Sequence, residues 1–261
     1  MNFAKKSLGQ NFLIDKNILK KIVNFTSIKD RHVIEIGPGK GSLTEEILKR
    51  NPKSLIVIEK DSNLAKELKE KYFKNKIIDV INEDVLKFDL EKIVKNNSII
   101  FGNLPYNISS QILVKILRFN KWLPRFKDIV FMFQKELGDK IIGKFPSSNY
   151  GRISILTNFR LNMIKNFLVS PNCFSPKPKI NSMVIHFKPK NDKLFNIKRI
   201  NTLEKITSIF FSNKRKMINK NLKIILNDKK INKIKDLKIS LRPSDVKPEI
   251  FYKITELYEG K

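Results

Sequence analysis

The sequence predicts an α/β fold, a parallel sheet flanked by helices, with a small helical domain behind it. Three observations carry this expectation. Over the first two-thirds of the chain, short β-branched runs alternate with helical patterns. The first of these runs feeds a glycine-rich turn that opens directly into a helix. Beyond about Lys188 the β-branched runs stop, and a lysine-rich helical pattern takes over.

Taken in order, strands are expected at His32–Ile36, Ser54–Ile58, Lys76–Ile81, Ser98–Gly102 and Ile129–Phe133. The helix between the first two opens on Ser42-Leu-Thr-Glu45, which reads as a capping box, and carries Leu43 and Ile47 inward. Asp61 precedes a second helix, with Leu64 and Leu68 one turn apart on one face. Ile108, Ile112 and Ile116 mark the buried face of a third, beginning just after Tyr106. Phe131 and Phe133 alternate as in a buried strand, and so are expected in the core. The polar stretch Lys188–Asn196, with Pro189, reads as a linker. Domains are therefore expected at 1–188 and 189–261, the second with a helix facing its core through Ile206, Ile209 and Phe210.

At 261 residues, 41% of them hydrophobic, the chain can bury one full-sized core and carry a small second domain. No apolar run reaches the roughly eighteen residues that a membrane-spanning helix needs. The segment Met1–Gln10 lacks the apolar centre of a secretory signal. Cys173, the single cysteine, cannot form an internal disulfide or a cysteine metal cluster. These features lead to the expectation of a cytoplasmic monomer that holds no metal. A net charge of +28, from 53 basic and 25 acidic residues, implies attraction to a polyanion, most commonly nucleic acid. The excess of Lys over Arg, with abundant Asn and Ile, also fits the compositional drift of an AT-rich genome. Charge alone does not name RNA.

In open α/β sheets, ligands bind beyond the carboxyl ends of the strands. The first strand ends in Glu35-Ile-Gly37-Pro-Gly39-Lys-Gly41, where small residues let the backbone turn tightly and approach a ligand. The second ends at Glu59, an acidic residue suited to two-point hydrogen bonding with ribose hydroxyls. A nucleoside-bearing cofactor follows from that pair, and a dinucleotide would satisfy it equally. The third strand leads to Asp84 and the fourth to Asn103-Leu-Pro-Tyr106, for which a dehydrogenase has no evident use. Methyl transfer to an aromatic amine does. The lone pair of adenine N6 is conjugated with the ring and is a poor nucleophile. The side-chain oxygen of Asn103 and the carbonyl of Leu104 can accept both amine hydrogens and favour a more tetrahedral nitrogen. Pro105 stiffens the backbone, and Tyr106 offers a ring on which the base can stack.

Six segments occur in a fixed order: Lys6-Ser-Leu-Gly-Gln-Asn-Phe-Leu13, Glu35-Ile-Gly-Pro-Gly39, Asn103-Leu-Pro-Tyr-Asn-Ile-Ser109, Phe131-Met-Phe-Gln-Lys-Glu136, Tyr150-Gly-Arg-Ile-Ser154 and Phe174-Ser-Pro-Lys-Pro-Lys179. As an ordered set they resemble the ribosomal RNA adenine dimethyltransferase family, and within it the small-subunit (16S) branch known for kasugamycin resistance. The resemblance implies a Rossmann-like class I methyltransferase sheet and S-adenosylmethionine as methyl donor. It also implies that Asn11 and Leu13 fold over the cofactor, with Gly37 on its amino-acid part, and that Gly39 and Asn103 belong to the cofactor-binding set. Glu59 would hold the ribose, and Asp84 with the backbone of Val85 the adenine. Asn103, Leu104 and Tyr106 would orient the target amine, and Tyr106 and Phe174 would sandwich the target base. The implied substrate is 16S rRNA in a partly assembled small ribosomal subunit. The implied product is N6,N6-dimethyladenosine at two adjacent positions near the RNA 3′ end. The basic N-terminal segment would order when cofactor or RNA binds.

The cluster Lys214, Arg215, Lys216 and Lys220 is expected on a helix of the second domain, where it can grip phosphates or simply form a solvated face. His32 and His186 are isolated and read as core or surface residues, not ligands. Two rival functions stay open at this point. The sister branch of the family dimethylates one adenosine of large-subunit RNA; its members commonly carry Ser at the place of Gly9 and differ around Asn107-Ile-Ser109 and Tyr150-Gly-Arg152. The other rival is a non-catalytic RNA-binding assembly factor, against which the intact Glu59, Asp84 and Asn103–Tyr106 set argues.

Overall fold

The structure, a computed structural model, describes residues 10–190 and 194–260. The basic N-terminal segment and the Lys6–Gly9 part of the first motif lie outside the described residues. Two compact units form: the chain up to Gly138 with Asn162–Pro189, and Asp139–Leu161 with the chain from Lys190 onward.

The first unit holds β1 (Phe12–Leu13), α1 (Lys16–Val23), β2 (His32–Ile36), α2 (Ser42–Leu48), β3 (Ser54–Glu59), α3 (Ser62–Lys71) and β4 (Ile78–Asn82). It continues through α4 (Leu90–Ile93), β5 (Ser98–Asn103), α5 (Ser109–Leu117), β6 (Phe126–Gln134) and the start of α6 (Lys135–Ile141). After α7 (Arg152–Arg160), the chain returns as β7 (Leu161–Val169), β8 (Phe174–Ser175) and β9 (Ser182–Pro189). Seven strands form one sheet in the order β4-β3-β2-β5-β6-β9-β7, and β1 pairs separately with β8. From β4 to β6 neighbouring strands are parallel, while β9 runs antiparallel to β6. This is the Rossmann-like sheet the sequence predicts.

Central parallel strands are covered on both faces and therefore read as nearly continuous apolar runs. β2 and β5 follow this rule, with Val33, Ile34, Ile36, Ile99, Ile100 and Phe101 all buried. Phe131 and Phe133 in β6 are buried too. All five expected strands form. β3 and β5 each run one residue further than expected, to Glu59 and Asn103, which places two polar side chains at the sheet's carboxyl edge. Asp61 caps α3 by accepting the amide of Asn63 at 3.0 Å.

Several local expectations change. Ser42 is not a capping residue: Gly41 occupies the N-cap of α2, and no side chain closes it. Thr44, three residues on from that cap, instead donates its hydroxyl to Glu35 Oε2 at 2.7 Å. The helix starts one residue too early for the box, and Glu45, its other half, pairs with Lys71. In α5 the buried stripe is Ile112, Leu113, Ile116 and Leu117, with Ile108 a half-buried N-cap. His186 is core, as expected, but not isolated. It bonds Asp128 at 2.7 Å, and Asp128 also pairs with Arg31 at 2.8 Å. Burial opposes ionisation of Asp128, yet the bonds from His186 and Arg31 outweigh it and bring its pKa down to about 2.

The second unit contains α7, α8 (Ile200–Phe211), α9 (Asn219–Ile225), α10 (Asp228–Ile231) and α11 (Pro248–Glu259), with no strand beyond Pro189 among the described residues. Residues 139–161, expected in the first domain, go with this unit. The reason is side-chain anchoring: the buried Tyr252 donates to Ile155 O at 3.0 Å, the buried Tyr150 donates to Val246 O at 2.9 Å, and the more exposed Arg152 pairs with Glu204 at 3.1 Å. Ile206 and Phe210 are buried in α8, while Ile209 is half-buried. The basic cluster is not helical: α8 stops at Phe211, and Asn213–Met217 form an exposed turn before α9, which carries Lys220.

Candidate active site

From β4 at the sheet edge the chain crosses to β5 on the far side of β2, so strand order reverses between β2 and β5. Such a switch point opens a crevice beyond the strands' carboxyl ends. Register then decides which residues meet there. Ile36 is level with both Ile58 and Gly102, which sets Gly37 beside Glu59 on one side and Asn103 on the other. A single pocket takes in Asn11, Leu13, Gly37, Gly39, Glu59, Asn103, Leu104 and Tyr106.

The turn after β2 is shaped for a ligand. Gly37 has φ +69°, and a Cβ there would sit 3.6 Å from the Asn103 carbonyl oxygen, in the gap between the turn and the end of β5. Gly39 has φ +58°, and a Cβ there would meet the Phe12 ring at 2.9 Å. Left-handed backbone of this kind favours glycine. The absent side chain at Gly39 thus lets β1 close against the turn.

Glu59 ties the turn to the next helix. Its Oε2 accepts the amide of Gly39 at 3.1 Å and its Oε1 the amide of Asp61 at 2.8 Å. Burial raises its pKa, against the opposing pull of those amides. Glu35 at the pocket base is buried outright, which lifts its pKa to about 8 and leaves it neutral at pH 7. Asn103 donates its Nδ2 to Asn11 O at 3.3 Å, which turns its side-chain oxygen loose as an acceptor. Pro105 follows, and Tyr106 places a half-buried ring at the rim, its hydroxyl 2.6 Å from that of Ser182. Desolvation raises the pKa of that phenol, so Tyr106 is a neutral ring in the physiological range.

Seven sequence-selected positions do not line this pocket. Asp84 lies past β4, further along the sheet edge, where it pairs with Lys60 at 2.8 Å and accepts the amide of Leu86 at 2.9 Å. The Lys60 hydrogen bond is the main reason its pKa is lowered. Val85 beside it is buried. Phe174 is only 4% exposed: it pairs with Leu13 across the β1–β8 ladder and packs in the core with it. Lys214, Arg215, Lys216 and Lys220, in the second unit, are exposed and form no ion pair among the described residues. No cluster of His, Cys, Asp or Glu capable of holding a metal forms among the described residues.

The structure also supplies residues that sequence reasoning did not select. Gln10 lines the pocket and donates to Asp61 at 3.3 Å, and Phe12 covers Gly39. Both sit inside the first of the six ordered segments, Lys6–Leu13, which was the available signal. Lys60, Lys115 (whose ammonium donates to Leu86 O at 2.9 Å) and Ser182 had no local signal at all.

The donor set fits S-adenosylmethionine: a glycine cradle, a carboxylate at the second strand end and a carboxamide at the fourth. A family model described as ribosomal RNA adenine dimethylase matches residues 1–259. Ribosomal RNA small subunit methyltransferase A of Pelagibacter ubique is 47% identical over 98% of this chain and 97% of its own length. The protein of that name from Malacoplasma penetrans is 41% identical over 97% and 91%. Among solved structures, a dimethyladenosine transferase from Plasmodium falciparum superposes with a TM-score of 0.73 at 26% identity, covering 93% of this chain and 95% of its own. The 23S rRNA methyltransferase ErmE shares the fold, with a TM-score of 0.70 at 23% identity over 95% and 100%. The chain belongs to the ribosomal RNA adenine dimethylase family.

Proposed function

We propose that this protein uses S-adenosylmethionine to dimethylate N6 of two adjacent adenosines near the 3′ end of small-subunit (16S) rRNA, acting as a monomer on a partly assembled subunit. The observation that carries the reading is the position of Asn103. It lines one pocket with the Gly37 turn and Tyr106, and its Nδ2 is engaged by Asn11 O, which leaves the side-chain oxygen to accept. The relatives named for the small subunit support that branch over the large-subunit one.

Bound S-adenosylmethionine would supply a methyl group already activated on a sulfonium. The chain's own residues then do the positioning. Gly37 leaves room for the amino-acid part, Gly39 lets Phe12 close the turn over it, and Glu59 offers carboxylate oxygens to the ribose. Asp84, with the Val85 backbone, serves the adenine; its ion pair with Lys60 keeps it ionised and able to accept. The Asn103 oxygen and the Leu104 carbonyl accept the two N6 hydrogens, which turns the nitrogen lone pair toward the methyl. Tyr106 stacks on the target base, and Phe174 closes on the other face after the β1–β8 pair shifts to release it from the core. No strong base is needed, because the amine becomes acidic once methylated. Placement of this kind supplies much of a rate enhancement on its own. Phosphates of the RNA fall to the exposed Lys214, Arg215, Lys216 and Lys220.

The test is Asn103→Ala. Methyl transfer to undermethylated small subunits should fall by at least about a hundredfold, as for other oriented polar groups acting on the reacting atom. The cofactor dissociation constant should stay within about threefold, since one side-chain contact of several is lost. Full activity in this variant rules out the amine-orienting role.

A further inference from the structure

Among the described side chains outside the proposed machinery, Ser182 meets the hydroxyl of Tyr106. It sits on β9, fully buried, level with Gln134 of the neighbouring β6. Its hydroxyl lies 2.6 Å from that of Tyr106. The backbone on either side of it is fixed: Lys135 donates to Asn181 O at 2.9 Å, and the β6–β9 ladder runs from Ser182 to Phe187. At the other end of Tyr106, the buried Ser109 donates its hydroxyl to the Tyr106 carbonyl at 3.1 Å. The Tyr106 carbonyl and phenol are thus held by two different elements, the N-terminus of α5 and an inner strand of the sheet.

A ring that only needs to fill space has no use for a hydroxyl. A buried phenol must find a partner or lose stability, and here the partner is a rigid strand, not solvent. The bond pins the far end of the ring and so fixes the direction of its long axis, which decides where the ring lies when a base comes to stack on it. We infer that Ser182 is a positioning residue for methyl transfer, holding the Tyr106 ring in the orientation that receives the target adenine. This inference rests on the reading of Tyr106 as the base platform. It extends that reading to a residue which touches neither cofactor nor RNA.

The consequence is specific in kind. RNA affinity comes mainly from phosphate contacts, and Ser182 does not line the pocket proposed for the cofactor. Loss of the hydroxyl should therefore lower the single-turnover rate and leave both dissociation constants alone. A pure packing defect would lower the melting temperature and disturb all three together.

The experiment compares Ser182→Ala, Tyr106→Phe, the double variant and Tyr106→Ala in single-turnover methyl transfer to undermethylated small subunits. Cofactor affinity and melting temperature are measured on each. Ser182→Ala and Tyr106→Phe remove the same bond from opposite ends, so each should slow the reaction by about tenfold, and the double variant should be no slower than either. Ser182→Thr, which keeps the hydroxyl, should restore most of the rate. Independent losses that multiply in the double variant overturn the proposal. So do wild-type rates in Ser182→Ala and Tyr106→Phe alongside an inactive Tyr106→Ala, an outcome that keeps Tyr106 as the platform. Should Ser182→Ala not fold, Tyr106→Phe at the wild-type rate still overturns it. Full activity in Tyr106→Ala removes the platform reading itself, and the inference with it.

Discussion

Replacing Glu59 by Gln tests how the cofactor is held, because it changes one atom and the charge while keeping the shape. In the structure both carboxylate oxygens are acceptors, one for the Gly39 amide at 3.1 Å and one for the Asp61 amide at 2.8 Å. A glutamine can present an oxygen to only one of them. The other amide then faces an NH2 group, and one acceptor for a ribose hydroxyl is lost as well. A hydrogen bond to a charged group contributes about 1.5–3 kcal/mol. At about 1.4 kcal/mol per tenfold, cofactor affinity should weaken by about 10- to 150-fold. Stability should move much less, because burial already disfavours the charged form of Glu59 and the neutral amide relieves that cost while losing one bond. The pH dependence is diagnostic. A raised pKa means that Glu59 takes up a proton as pH falls toward the acid range, so wild-type affinity should decline there and Glu59→Gln should not follow it. Isothermal titration calorimetry at several pH values, with thermal melts in parallel, measures both. An unchanged dissociation constant, or an acid decline that persists in Glu59→Gln, would refute the ribose assignment.

Phe174→Leu keeps an apolar side chain in the core but removes the ring; it should cost about 1–2 kcal/mol of stability and slow single-turnover transfer by at least about tenfold, whereas an unaffected rate well below the melting temperature makes Phe174 core only. Glu35 has a folded pKa near 8 against an ordinary 4.5, so it holds a proton that the unfolded chain gives up. Its contribution is intact below about pH 4.5 and is lost as pH rises toward 8. Glu35→Gln should therefore flatten the fall in melting temperature across that window, and a fall of wild-type steepness in the variant contradicts the assignment. Substituting Lys214, Arg215, Lys216 and Lys220 together by Ala should weaken subunit binding and reduce the slope of log affinity against log salt by about 3, with cofactor affinity unchanged; an unaltered slope makes the turn a solvated surface.

The sheet and its ligand edge were legible because parallel central strands leave a local signature. Runs such as Leu55–Ile58 and Ile99–Phe101 are apolar on both faces, and the polar residues that follow them, Glu59 and Asn103, fall where the register puts them beside Gly37. Whatever depended on distant partners was not legible. Glu45, half of the expected capping box, pairs instead with Lys71, 26 positions later. Residues 139–161 belong with the second unit because Tyr252 and Val246, about a hundred positions later, anchor them. The burial of Phe174 depends on its pairing with Leu13 across the chain, and Ser182 meets Tyr106 only through the antiparallel return of β9. Asn103 was identifiable by its chemistry. Its proximity to Asn11, 92 residues away in sequence, needed the fold.

The central claim is that this site methylates adenosine N6 in small-subunit RNA. Its most direct test is transfer of radiolabelled methyl from S-adenosylmethionine to undermethylated small subunits, with naked RNA and large subunits alongside. Label recovered as N6,N6-dimethyladenosine near the 3′ end of the small-subunit RNA is the predicted result. Label confined to large-subunit RNA, or none in any substrate from folded protein that binds the cofactor, would contradict the account.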